Sequence, residues 1–414
     1  METWKEYRFN EIMKIKHGYA FEGTSFSDEP TKWSLLTPAN FTLSGGFQET
    51  NRYYKEDGDP FPSEFILSKD DLIVTMTDLS KEIDTIGYGA LVPSDNKYLH
   101  NQRIGLVTIT NPEIDKHYLY WLMRTKFYQR FVAGSSNGAT VHHTSPDRIM
   151  KFKWNFPPLP IQQKIASILS TYDNLIQNYK MQIEGLQSCA SELYKEWFVR
   201  FRFPGYQTTQ FENGIPVGWN VARVGEYVKI KSGYAFKSEW WQEEGCPVVK
   251  IKDIDNGEID INHFDYVSEE HVLKAKSFLL QEGDLVIAMT GATIGKIGLV
   301  PKIENLFTNQ RVGKFFIGNN PFEKMPFLYC LFSQNSTTET ILCLSGASSA
   351  QPNISPDQLE SIKFFYNEEI VRQFNKTAEP LFRKILSLRQ QIINLTQQRD
   401  LLLPRLMSGK LEVN

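Results

Sequence analysis

The segment WKEYRFNEIMKIKHGYAF, residues 4–21, returns at residues 219–236 as WNVARVGEYVKIKSGYAF, with about ten of the eighteen positions identical. Four shorter blocks repeat behind it in the same order. DLIVTMT at Asp71–Thr77 answers DLVIAMT at Asp284–Thr290, and Asn101-Gln102-Arg103 answers Asn309-Gln310-Arg311. LYWL at Leu119–Leu122 answers LYCL at Leu328–Leu331, and Ser145-Pro146-Asp147 answers Ser355-Pro356-Asp357. The offset drifts by a few residues, as small loop insertions cause. A repeat unit of this length is a duplicated domain, not a solenoid turn. The 414 residues also exceed the ~250 at which a single core stops growing.

Each copy has two parts. Residues 1–156 and 206–365 are rich in Gly, Pro and aromatics and carry short β-branched runs, such as those after Asp71 and Gly298. With helical stretches at Leu119–Val132 and Phe327–Leu342, they read as two similar α+β modules, each a small curled sheet with helices. Residues 157–205 and 366–414 read as long helices. Apolar side chains recur in alternating steps of three and four at Ile176, Tyr179, Ile183, Leu186, Ala190, Leu193 and Trp197. The second copy matches with Ile385, Leu388, Ile392, Leu395, Arg399, Leu402 and Leu406. This is a coiled-coil seam, and a helix of this kind cannot bury its stripe alone. The expected architecture is therefore two modules joined by two helices that pair with each other as a coiled coil. Pro157-Pro158-Leu159-Pro160 is preorganised to open the first helix, and Pro404 is expected to end or kink the second.

Composition removes several classes. No apolar run reaches the ~18 residues of a membrane span, and METWKEYRFN lacks the apolar stretch of a secretory signal. Cys189, Cys246, Cys330 and Cys343 form no C-x-x-C pair, and free thiols fit a cytoplasmic location. The formal charge of −3 excludes a uniformly basic nucleic-acid binder. The positive surplus lies on the two helices and the modules are net acidic, so a DNA-binding face must be a local cluster.

No complete catalytic set is present. Gly291-Ala-Thr-Ile-Gly295-Lys296 is one residue too short for a phosphate-binding loop, and Ile297 stands where a magnesium-holding hydroxyl is required. Asn155-Phe156-Pro157-Pro158 lacks the aromatic that stacks on a flipped adenine. Asp95-Asn96-Lys97 has nuclease-like spacing but no acidic partner for a metal. No metal site and no catalytic residue is expected in this chain. The polar motifs instead suggest contacts to DNA. Lys16 and Tyr19, with Lys231, Tyr234 and Lys237, combine phosphate-reaching lysines with glycine and aromatics, although a structural strand and turn with the rings in the core explains them equally. Arg103 and Arg311 have base-reading chemistry, but identical motifs in two modules argue against reading different bases. Better readers are the polar loops where the copies diverge. These are Thr77 and Lys81, then Ser135, Ser136, Asn137, Thr140 and His142, in the first module. In the second they are Thr290, Thr293, Lys296, Ser348, Ser349, Gln351 and Asn353.

The whole chain resembles the specificity subunit of a type I restriction–modification system. The resemblance rests on Ile230–Lys237, Gly283–Gly295, Thr308–Val312, Gln351–Ser355, the ending Leu403–Leu411, and Pro158–Lys164 opening a long helix. Thr85–Val92 departs from the pattern, and the second helix opens with Glu368-Glu-Ile-Val-Arg372 instead of a proline-rich turn. The resemblance implies two target-recognition domains that read the halves of a bipartite sequence in double-stranded DNA. It also implies that the two helices pair antiparallel, which makes an internal pseudo-twofold, and act as a ruler that sets the spacer. It implies two modification (methyltransferase) subunits and restriction (endonuclease/translocase) subunits as partners. S-adenosylmethionine, ATP and magnesium are then expected on those partners and no cofactor on this chain. A bifunctional methyltransferase–endonuclease and a dimerisation scaffold that binds no DNA are the rival readings.

Overall fold

A computed structural model describes residues 4–78, 85–136, 142–346 and 352–413. The chain forms two compact units, Met1–Leu175 with Leu395–Asn414, and Ile176–Asn394.

The first unit is built on an antiparallel sheet of β1 (Met13–His17), β2 (Leu72–Thr75), β3 (Gly89–Leu91) and β4 (Ile104–Ile109), in the order β1-β4-β2-β3. All four residues of β2 are buried, which explains why LIVT shows no polar alternation. A smaller sheet joins Phe26–Ser27, Tyr53–Tyr54, Trp33–Leu35 and Tyr98–Leu99, with its last pair parallel. Helices Lys116–Leu122 and Lys126–Gly134 are N-capped by Asp115 and Thr125, whose side chains accept from the third residue on. Strands Lys5–Arg8 and Lys153–Phe156 zip the ends of the module together.

The second unit repeats this plan. Its sheet contains β5 (Lys229–Ser232), β6 (Leu285–Ala288), β7 (Ile297–Leu299) and β8 (Val312–Phe316), again ordered β5-β8-β6-β7. Its small sheet again ends in a parallel pair, Val248 against Phe307, and Asn220–Arg223 zips to Lys363–Tyr366. Ser-Pro-Asp starts a short helix in both copies, and in the second Ser355 and Gln358 form a reciprocal cap.

The long helices are α1 (Leu159–Tyr194), continued by a π-helical turn at Lys195–Val199 that buries Trp197, and α2 (Glu368–Met407). Ile176, Ile183, Ala190, Ile385, Leu388 and Leu406 are buried, and Tyr179, Leu186, Leu193, Ile392, Leu395 and Leu402 half-buried, as the seam requires. Within the first unit, Ile165, Ala166 and Leu169 near the start of α1 share a core with Leu403, Leu406 and Met407 at the end of α2. Within the second, Ala190 and Tyr194 near the end of α1 share a core with Phe374 and Phe382 near the start of α2. Each unit is therefore closed by helix segments running in opposite directions. The same cores contain Phe9 and Trp121, or Phe327 and Leu359, so the seam residues are module core as well as helix pairing. One expectation is corrected: α2 does not end at Pro404 but runs to Met407, because buried Leu403, Leu406 and Met407 hold its last turn. Among the described residues, no helix is long and apolar enough to cross a membrane.

Arg399, the charged member of the seam, is buried and donates from Nη1 to Asp173 at 2.5 Å. Arg124 donates to the other Asp173 oxygen, also at 2.5 Å. Burial pushes the Asp173 carboxyl up, but the Arg124 and Arg399 guanidiniums outweigh it and hold the carboxyl below its ordinary value. Each helix also clamps its module through one buried amide. Gln162 accepts from Asp115 N and donates to the carbonyls of Glu113 and Pro157, while Asn375 accepts from Phe327 N and donates to the Tyr227 hydroxyl.

The two most similar repeat motifs meet in space. Tyr19 N donates to His100 O at 2.8 Å, Gln102 N donates to Tyr19 O at 2.9 Å, and Gly18 packs against the same turn. A Cβ on Gly18 would stand 2.3 Å from the carbonyl oxygens of Asn101 and His100, and one on Gly233 would stand 2.4 Å from Asn309 O. Glycine is required at both places by close backbone approach. Gly18→Ala is therefore expected to destabilise the first unit by about 1–3 kcal/mol or more. Gly185 lies in α1, and a methyl added there would meet nothing within 4 Å. It should behave oppositely: Gly185→Ala gains about 0.5–1 kcal/mol. Urea melts of the two variants test both signs.

His100 beneath that turn is fully buried, and burial pushes its imidazole down to about 4. The unfolded chain protonates it near pH 6.5, the folded chain only near 4, so stability falls as pH drops through that window. The second module has Thr308 at this place. Melts of His100→Thr should lose that share of the acid sensitivity; an unchanged pH profile would contradict the assignment.

Candidate nucleic-acid interface

Strand register gathers the sequence-selected residues at one end of each main sheet. In the first unit β1 leaves at His17 opposite Gly105, and β2 leaves at Thr75 opposite Ile104. Lys16, Tyr19, Thr77 and Arg103 therefore lie at the same sheet end. Strand β5 leaves at Ser232 opposite Gly313, β6 leaves at Ala288 opposite Val312, and β7 begins at Ile297 opposite Ile287. This brings together Lys231, Tyr234, Thr290, Lys296 and Arg311. The shallow concavity lined by Asp71, Ile109 and Lys116 is at the opposite sheet end and belongs to neither group.

Side chains divide these residues into structural and free. Tyr19 is half-buried, with its ring 5.0 Å from Phe21 and 5.3 Å from Phe65, and Tyr234 lies 5.0 Å from Phe236. Both rings thus complete small cores. Thr77 is buried, in a short strand pairing with His142–His143, and its hydroxyl is 3.1 Å from His143 Nδ1. It is consequently withdrawn as an exposed contact. Thr290 makes the equivalent bridge to Asn353, with its hydroxyl buried, and the Thr293 hydroxyl donates to Ile251 O. Ser135 and Ser136 donate to the carbonyls of Val132 and Ala133, ending their helix. His142 is half-buried opposite Asp78, and Asn353 is exposed. Lys81, Asn137, Thr140, Ser348, Ser349 and Gln351 lie outside the described residues.

Among the cations, Lys16 pairs with Glu64 at 2.9 Å and Lys296 with Asp255 at 2.6 Å. Both pairs are exposed, and such pairs are worth about 0–1 kcal/mol and exchange readily for phosphate. Lys231 sits 5.1 Å above the Phe316 ring and Lys237 5.4 Å above Trp240. Arg103 and Arg311 are exposed, and among the described residues neither has a carboxylate partner. Gln102 and Gln310 beside them are exposed as well. Sequence reading weighs these glutamines with the whole Asn-Gln-Arg triplet, and its recurrence in both copies favours a structural role. Asn101 and Asn309 serve the turn: each carbonyl accepts from the N–H three residues on at 2.9 Å.

The catalytic near-matches are structural. Asp95 accepts from Lys69 N, Asn96 adopts φ +54°, and Lys97 pairs with Glu49. Among the described residues no group of three His, Cys, Asp or Glu is placed to hold a metal ion.

Comparison with known proteins meets this geometry. The family described as type I restriction modification DNA specificity domain matches residues 1–187 and again residues 216–366. The chain is 28% identical over 338 residues to the type I restriction enzyme MjaIX specificity subunit of Methanocaldococcus jannaschii, covering 79% of this chain and 76% of that one. It is also 28% identical over 372 residues to the MjaVIII specificity subunit of the same organism, covering 88% and 86%. The S subunit of the type I restriction–modification system from M. genitalium shares the fold, with a TM-score of 0.56 at 19% identity over 98% of this chain and 96% of that one. With its domain matched twice and over more than half of its length, the chain belongs to the type I restriction–modification DNA specificity family.

Proposed function

We propose that this chain is the DNA-reading subunit of a type I restriction–modification complex, each module taking one half of a bipartite target and the long helices setting the spacer between them. The observation that carries this reading is the repeated arrangement of exposed Arg103 and Arg311, without a carboxylate partner among the described residues, on turns closely approached by Gly18 and Gly233, beside loops that differ between the copies. A fixed cation common to both modules suits the phosphate backbone, which is the same in every sequence; the divergent loops suit base edges, which are not. Lys231, Lys237 and the loosely paired Lys16 and Lys296 extend the phosphate-binding surface. His142, Asn353 and the loops around them are the proposed readers. The chain itself is non-catalytic on this reading. Methyltransferase subunits bring S-adenosylmethionine, and restriction subunits bring ATP and magnesium.

Arg103→Ala, assayed in the complex with its methyltransferase partner, should weaken binding about equally for all duplexes and lower the salt slope by about one. Fluorescence anisotropy over a salt series, with a panel of single-base variants, measures both. Loss concentrated at one base pair would make Arg103 a base reader instead. Binding that ignores sequence and salt in the parent complex would remove the DNA-reading proposal altogether. The ruler has its own test. Seven residues inserted in α1 should lengthen the spacer or abolish modification while leaving both half-sites intact, read by methylome sequencing of a host carrying the variant and its partner. Altered half-sites with the old spacer would contradict it.

A further inference from the structure

A chain written twice faces a pairing ambiguity. Either helix has a seam that suits either module, so the first module and α1 of one chain have a rival partner in the same segments of a second copy. Among the described residues, the ends of the helices include a place where the copies are chemically incompatible. In the first unit Asp173, three residues before the seam position Ile176, lies between Arg399 and Arg124. Arg124 also donates to the Tyr120 hydroxyl at 2.6 Å and to Ser44 O at 3.1 Å, and its guanidinium stacks 4.3 Å from the Trp121 ring. The repeat assigns a counterpart to every member. Phe382 precedes Ile385 by three residues as Asp173 precedes Ile176, Ala190 holds the seam place of Arg399, and Ser333 follows LYCL as Arg124 follows LYWL. In the second unit these counterparts form an apolar seat. Phe382 packs at 5.0 Å against Tyr329, Ala190 O receives the Cys330 thiol at 3.5 Å, and the Ser333 hydroxyl turns back to Tyr329 O.

We propose that Arg124, Asp173 and Arg399 are a pairing key: the seat of the first module accepts the helix end bearing Arg399 and rejects the one bearing Ala190, so that a second copy of this chain cannot pair first half with first half. An α1 end in that seat would leave Arg124 and Asp173 without their third member. An α2 end in the apolar seat would bury the Arg399 guanidinium against Phe382 and Cys330 without Asp173, leaving it only the half-exposed Asp400 beside it in the chain. Burying an unpaired charge is among the most costly packing errors, whereas exchanging a buried ion network for apolar groups is often neutral for stability. The network therefore contributes discrimination more than stability, in the way a buried polar residue fixes coiled-coil partners. The key lets one chain keep two different modules together, which a bipartite reader needs.

The test refolds the full chain at high concentration and reads mass by light scattering. The parent should return as single chains. The variant Arg124→Ser/Asp173→Phe/Arg399→Ala makes the first seat resemble the second, and should return partly as dimers and larger assemblies. Its return wholly as single chains would overturn the proposal. Should that variant not fold, Arg399→Asp and Asp173→Arg decide. Each sets like charges side by side in the seat and should yield assemblies. Singles that stay monomeric would sink the idea. Leu169→Ala, a buried cavity in the same unit, controls for simple destabilisation: it should melt earlier yet stay monomeric, and assemblies from it would equally count against the key.

Discussion

The apolar stripe of two very long helices is the constraint on which the rest of the structure depends. Helices of 36 and 40 residues with a continuous seam cannot hold that face in water. Their burial is not confined to each other. Phe9, Trp121 and Phe156 share one core with Ile165, Leu169 and Leu406, and Phe327 and Leu359 share another with Tyr194, Phe374 and Ile385. Module and helix are thus one cooperative body. The zipped strands, Lys5–Arg8 with Lys153–Phe156, bring the chain back to where α1 begins, and Gln162 then ties the first helical turn to the backbone of the module.

That shared core explains why the divisions drawn from sequence, at 156, 205 and 365, differ from the compact units, which divide within the helices at 175 and 394. Composition changes where proline and glycine stop, but packing changes only where a helix segment stops touching its module. What was legible was what is written locally. The repeat is legible in identities and the helices in their period. What was hidden needed partners distant in sequence. The approach of Gly18 to the turn at Asn101 joins two motifs that sequence alone does not connect, and Arg399 stood in the seam without a reason because Asp173 is 226 residues away. Thr77 looked like a loop residue because its strand partner, His143, lies 66 residues on. Pro404 looked like a helix end because a missing N–H is visible in sequence, whereas the buried side chains around it that keep the turn are not.

The same distinction applies to the interface. Its scaffold was readable: the sheet end is built from blocks that recur nearly unchanged. Its readers were only partly readable, since the half-exposed hydroxyls of Ser135 and Ser136 close their own helix end, and that of Thr293 is taken by the backbone carbonyl of Ile251. A polar loop in sequence has two uses for every hydroxyl, and the backbone takes the nearer one first.

Charge brings these threads together. A chain of net charge −3 cannot attract DNA through its total. On the proposed reading it would do so locally, through cations that lack a carboxylate partner. Several surface cations have local carboxylates: Lys5 has Glu113, Lys97 has Glu49, Lys153 has Glu6 and Arg372 has Glu369, as do Lys16 and Lys296 at the sheet ends. At the sheet ends Arg103, Lys231 and Arg311 have none among the described residues. Within a Debye length of ~8 Å, nearby cations weigh more on an approaching phosphate than the total charge does. An acidic protein can therefore present a positive edge without a basic composition, provided the fold holds a few cations away from carboxylates. On the proposed reading, the Asn-Gln-Arg turn would be that place in both copies.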